Sequence, residues 1–195
     1  TVLLSSGTGA LTLVDSNGIN LGASSIGGLL DITAVGIHVT GAVSAGSTDL
    51  DASGGDLTDT MGSLLVLGDA ALTVTGANVL TLDSSLNDFT TVLLSSGTGA
   101  ATLVDSNAMN LGASSIGGLL DVTAVGIDVT GVVSAGSADL DASGGDLTDT
   151  MGSLSVGGNA TLTVTGTNVL TLDSSLNDFT TVLLSSGTGA VTLVD

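Results

Sequence analysis

Apolar and polar residues alternate along this chain in short runs. Leu11-Thr12-Leu13, Ile19-Asn20-Leu21, Leu30-Asp31-Ile32, Ile37-His38-Val39, Leu50-Asp51-Ala52, Leu64-Leu65-Val66, Leu72-Thr73-Val74 and Leu80-Thr81-Leu82 each set two aliphatic side chains around a central residue. A period of two is that of a strand with one buried face. Gly, Ser, Asn and Asp separate the runs, as turn residues do, and no helical period of 3.6 competes. The spacing predicts successive coils over residues 10–28, 29–47, 48–63, 64–78 and 79–99. Each coil opens on one alternating strand, and a second strand usually follows. About 18 residues per coil is a common length for a parallel β-solenoid.

The pattern then starts again. Thr1 to Ala10 returns unchanged as Thr91 to Ala100 and as Thr181 to Ala190, so the repeats run 1–90, 91–180 and, in part, 181–195. The first two copies differ at about a dozen positions. Direct repetition of this fidelity marks an array in which each unit packs on a copy of itself. Residues 1–195 are therefore expected to form one continuous solenoid of five coils per 90-residue repeat and about eleven coils in all, a rod of about 50 Å at strand spacing. A single coil buries too little aliphatic surface to offset its backbone entropy, so stability is collective. Both ends of such a rod are open sheet edges, and no capping segment is visible. Either more repeats continue it or rods stack end to end, which makes the chain its own expected partner.

Differences between the copies assign facing. Leu65 becomes Ser155 and Leu67 becomes Gly157, while Leu64 and Val66 persist as Leu154 and Val156. Leu64 and Val66 are expected inside, Leu65 and Leu67 outside. His38 becomes Asp128 between unchanged aliphatic neighbours, which places it outside. Ile32 to Val122 and Ile19 to Met109 exchange one apolar group for another, as inward positions do.

Composition narrows the function. The chain has 30 glycines, no Lys or Arg, no Cys, Pro or Trp, and a net charge of −19 carried by Asp. Nucleic acid and anionic membranes are excluded as partners, because both are bound through Lys and Arg. Divalent cations are the natural small partners. No disulfide framework exists, and trypsin has no cleavage site, which suits an exposed protein. No run approaches the roughly 18 apolar residues of a membrane helix. The phase of both ends is that expected of a section from a longer protein.

The densest acidic run, Asp49, Asp51, Ser53, Asp56 and Asp59, recurs as Asp139, Asp141, Ser143, Asp146 and Asp149. It opens D-x-D-x-S-G, like a Ca²⁺ loop, and Ca²⁺ is the one ion this pattern suggests. Thr60 stands where a bidentate Glu is required, however, and a solvated Asp/Gly turn is the simpler reading. Thr73 and Thr75, echoed by Thr163 and Thr165, form the T-x-T pair of an ice-binding face. The neighbouring coils offer Asp31, His38 or Asn20 instead. An enzyme is not expected and no catalytic residue is assigned. Hydroxyls abound, but the single His38 is replaced in the second copy, and no basic residue is present to act on an acidic sugar. Tandem immunoglobulin-like domains of about 90 residues are a further alternative. The missing Trp, Tyr and Pro and the subdivision into coils oppose it.

The runs Leu86-Asn87-Asp88-Phe89, Leu103-Val104-Asp105-Ser106-Asn107-Ala108-Met109-Asn110-Leu111-Gly112 and Leu119-Leu120-Asp121-Val122-Thr123-Ala124 resemble the repeats of filamentous-haemagglutinin-like surface proteins. That resemblance covers the whole chain. It implies a right-handed parallel β-helix, secretion to the bacterial surface and service as the shaft of an adhesin. The expected function is thus a structural shaft or fibre segment of an extracellular bacterial surface protein. The alternative is an adhesive segment that binds surface carbohydrate through outward Asp, Asn and Thr.

Overall fold

A computed structural model describes all residues, 1–195. The chain is all-β, with twenty strands in one continuous parallel sheet that winds as a β-solenoid. Each coil has three arms. A long strand such as Ser24–Ala34 supplies the first two, joined at a glycine elbow, and a short strand such as Ile37–Val39 supplies the third. The next coil repeats this with Ala42–Ala52 and Leu57–Thr58, and the next with Ser63–Val74 and Leu80–Leu82. Alternation holds on every arm: Ile32, Leu50 and Leu72 stack inward, while Asp31 and Asp49 stack outward. The interior is one cluster of 47 buried apolar residues.

The coils average about 20 residues rather than 18, and about nine are stacked rather than eleven. Ladder partners show why. From Leu11 the second-arm ladder climbs through Leu30, Thr48, Ala70 and Val92. Steps from residue 48 upward are longer because the extra residues go into outward turns, which leave the stacked arms unchanged. The expected boundaries at 64 and 79 were therefore out of phase. Leu64, Leu65 and Val66 form a first arm over residues 43–45, whereas the runs that open the earlier expected coils, at Leu11, Leu30 and Leu50, lie on second arms. Leu72 to Val74 continue the ladder of Leu50 to Ala52, and Leu80 to Leu82 belong to the short third arm over Leu57.

One consequence is a half-integral repeat. At the junction of the units, Val92 is followed on its ladder not by another second arm but by Leu111 of the short strand Ala108–Leu111. Conversely, Leu80 to Leu82 of the third arm lie beneath residues 101–103, which start the next second-arm ladder. Nine strand-to-strand steps lead from Leu11–Val14 to Val191–Leu193, the equivalent strand two units on, whereas the intermediate equivalent Ala101–Val104 lies on the other ladder. Each 90-residue unit thus makes four and a half coils, and successive units are related by half a turn. At about 4.8 Å per strand the unit rises about 22 Å and the nine coils about 43 Å.

Facing follows the internal comparison of the copies. Leu64 and Val66 are buried and Leu65 and Leu67 are exposed; His38 is exposed, and Ile32, Val122, Ile19 and Met109 are buried. The elbow between the first two arms is a column of glycines, Gly7, Gly27, Gly46 and Gly68; in the next unit a second column, Gly97, Gly117, Gly136 and Gly158, starts over Gly76, half a turn away. A Cβ on Gly117 would lie 2.3 Å from the Gly97 carbonyl oxygen, so backbone passes directly over backbone at this corner. Gly157, one position earlier than the column residue, has nothing closer than 3.9 Å, and the first copy carries Leu67 there. Gly117→Ala should therefore cost about 2 kcal/mol and Gly157→Ala less than about 0.5 kcal/mol. Thermal melts of the two variants followed by circular dichroism check the contrast.

Candidate functional site

The five residues of each acidic run are distributed over different surroundings. Asp49 is exposed on the outer face of its strand, in register with Asp31 below and Ala71 above. Asp51 is half-buried between Thr33 and Thr73. Ser53 lies in the following turn, where its carbonyl accepts the Thr75 hydroxyl. Asp56 is exposed, and its Oδ1 accepts the N–H of Val79 in the coil above at 2.9 Å. Asp59 is buried. The second copy repeats the arrangement: Asp139 exposed, Asp141 half-buried, the Ser143 carbonyl bonded to Thr165, Asp146 accepting Val169 N–H at 2.8 Å, and Asp149 buried. No three acidic or imidazole side chains converge in an arrangement able to hold a metal ion.

Two of these carboxylates act as brackets between coils. Asp59 accepts the N–H groups of Asp83 and Ser84 at 3.0 and 3.2 Å, and the side-chain amide of Asn87 at 2.7 Å. Asn87, wholly buried, uses its other end to accept Leu64 N–H at 2.8 Å and also donates to the Leu82 carbonyl. Asp149, Asn177 and Leu154 reproduce the bracket in the second unit. Burial pushes the Asp59 carboxyl above its ordinary range, although the bonds from Asn87, Ser84 and Asp83 pull the other way.

A third bracket sits at the unit junction. Asp105 accepts Phe89 N–H at 2.6 Å and Asn107 N–H at 2.7 Å, and Asp195 accepts Phe179 N–H at 2.8 Å in the same way. Phe89 is the largest buried side chain and fills the interior where the ladders exchange. Burial raises the Asp105 carboxyl too, against the bonds from Asn107 and Phe89. In the sequence, the Asn-Asp-Phe run stands out only as part of the resemblance. Its role is to join units, and the signal available in the sequence was an Asn and an aromatic at the same place in both copies of an otherwise aliphatic chain.

On the outside, Asp121 sits beside Asp139 in the next coil. Burial and then the neighbouring charge raise its carboxyl. Asp128 takes the place of His38. Burial favours its neutral form, yet hydrogen bonds from the Thr150 hydroxyl and N–H and the Thr148 hydroxyl outweigh this and hold it below the ordinary range. His38 Nδ1 lies 2.8 Å from the Thr58 hydroxyl, so both residues serve one coil-to-coil contact. The surface is a lattice of carboxylates and hydroxyls.

Four overlapping stretches, residues 8–58, 39–96, 98–148 and 130–186, match the model of a family described as repeats of unknown function (DUF5649). The chain belongs to this family. No curated protein and no solved structure matches it. Two DUF5649 matches start within each 90-residue unit, the second of each pair running into the next unit, and their starts recur about one unit apart. The family description thus gives the repeat class and attaches no activity to it.

Two tests follow from the brackets. Asn87→Ala strands Leu64 N–H and removes a donor from the Asp59 carboxylate. It should cost about 3 kcal/mol, whereas Asn107→Ala, at an exposed position, should cost far less; thermal melts compare them. The second test concerns pH. Asp59, Asp105 and Asp121 have folded-state values above the ordinary 3.8. Folding therefore favours their protonated forms, so their contribution to stability is greatest in acid and is lost as pH rises through the raised values. Asp128 has the opposite sign and loses its contribution as pH falls through its depressed value. The melting temperature should rise between pH 7 and about 4, the reverse of ordinary acid denaturation.

Proposed function

We propose that this chain is a structural shaft or filament segment of an extracellular bacterial surface protein. The supporting observation is that the backbone ladder passes through the unit junction without a break, although the two units meet half a turn out of register. A junction of this kind can be repeated for any number of copies at a constant rise. The apolar interior is shared from coil to coil, so force on the axis is borne by many parallel hydrogen bonds and a common core. The outward carboxylates keep neighbouring rods apart in low salt and attract divalent cations as a diffuse layer.

The resemblance of the repeats to filamentous-haemagglutinin-like proteins supports the bacterial surface as the location. A surface without Lys or Arg, and hence without trypsin sites, suits exposure there. Further units of the same sequence are the natural partner, because each unit already packs on a copy of itself. Solution scattering and electron micrographs of the purified chain should give a rod about 43 Å long, with no beads. A glycan array should show no selective, saturable binding. Saturable binding to one sugar class would replace the shaft reading with that of a direct carbohydrate-binding segment, and no change in melting temperature with Ca²⁺ at matched ionic strength would confine cations to the diffuse layer.

A further inference from the structure

We propose that Asn17 is a site of spontaneous deamidation in the folded chain, with the backbone nitrogen of Gly18 as the nucleophile. The inference does not depend on the shaft reading. Asn17 lies exposed in the turn between the strands Leu11–Val14 and Ile19–Leu21. Its backbone is fixed: Asn17 N–H donates to Asp15 Oδ1 at 2.9 Å, and the Asn17 carbonyl accepts Val35 N–H at 3.1 Å. Its carboxamide is nearly free, with a single 3.5 Å contact from Nδ2 to the Ser16 hydroxyl. The Gly18 N–H donates to no acceptor within the fold, so no ladder bond must break before it reacts.

The sequence supplies an internal control. Asn17-Gly18 is the only Asn-Gly pair in the chain, and the equivalent turn in the second copy reads Asn107-Ala108. Packing does not demand glycine at position 18, because a Cβ there would meet the Gly36 carbonyl oxygen at an ordinary 3.6 Å. What glycine changes is access: without a Cβ, the nitrogen approaches the carboxamide carbon unhindered. Asn87 and Asn177, by contrast, are buried with both ends of the amide engaged or enclosed.

The chemistry balances with water alone. The Gly18 nitrogen gives up its proton and forms a bond to Asn17 Cγ, and the Cγ–Nδ2 bond breaks with release of ammonia. This leaves a five-membered succinimide. Water then opens the ring at either carbonyl, giving aspartate or isoaspartate at position 17. Either product adds one carboxylate to a chain of net charge −19. Isoaspartate also reroutes the backbone through Cβ and Cγ, one carbon longer, and turns the carbonyl that accepts Val35 N–H into a free carboxylate outside the main chain, which loosens the turn between two coils.

The test uses the intact 195-residue chain incubated at mildly alkaline pH. Cleavage before aspartate gives the matched peptides 15–30 and 105–120 for mass spectrometry. The amide-to-acid mass change should accumulate in the first about tenfold faster than in the second. A new cleavage before residue 17 reports aspartate, and resistance with the same mass change reports isoaspartate. Gly18→Ala, which the second copy already tolerates, should bring the two peptides to the same slow rate with the melting curve unchanged. A parallel incubation in urea separates sequence from structure. Conversion in the folded chain at a rate comparable to that in urea supports the proposal. Conversion in urea alone, or equal rates in the two peptides, overturns it.

Discussion

The structure depends on the parallel backbone ladder between successive coils. Every coil is too small to fold alone, and its only extensive contacts are with the coils immediately above and below. Inward positions must therefore satisfy two neighbours at once. This accounts for the monotony of Leu, Val, Ile and Ala, and for a dozen substitutions between copies that keep the inward positions apolar, apart from the buried Thr48, which becomes Ala138. It also explains the glycine elbows, where one backbone crosses another too closely for any side chain.

A second constraint comes from the few polar groups that the stack encloses. Where turns of unequal length meet, backbone N–H groups lose their ladder partners. Asp59, Asn87 and Asp105 supply acceptors for them, because a buried donor left without one would cost more than a bond is worth. The chain has no Lys or Arg to neutralise the Asp59 and Asp105 carboxylates. Burial consequently biases them toward protonation, and the fold carries an electrostatic load that mild acid relieves.

Much of the architecture was legible in the sequence. The two-residue alternation gave strands and facing, and Leu64 against Leu65 was assigned correctly from the copies alone. The repeat gave a solenoid, since no other arrangement lets near-identical units share an interior. Coil phase was not legible at residues 64–82. A first arm, a second arm and a third arm all read as aliphatic-x-aliphatic, and periodicity cannot say which ladder a run joins. The acidic run was visible, but its roles were not. Asp49 and Asp51 differ from Asp56 and Asp59 only in whether a turn in the next coil presents N–H groups to them, and that is settled some 23 to 25 residues away.

The half-integral winding has a mechanical meaning. Any bump or bias on one flank of the solenoid, such as the exposed Met61, recurs on the opposite flank one unit later as Met151. Whatever tendency to curve a single unit possesses is cancelled by its successor. A long array of such units grows straight by symmetry, and it presents the same landscape to neighbours on its left and on its right.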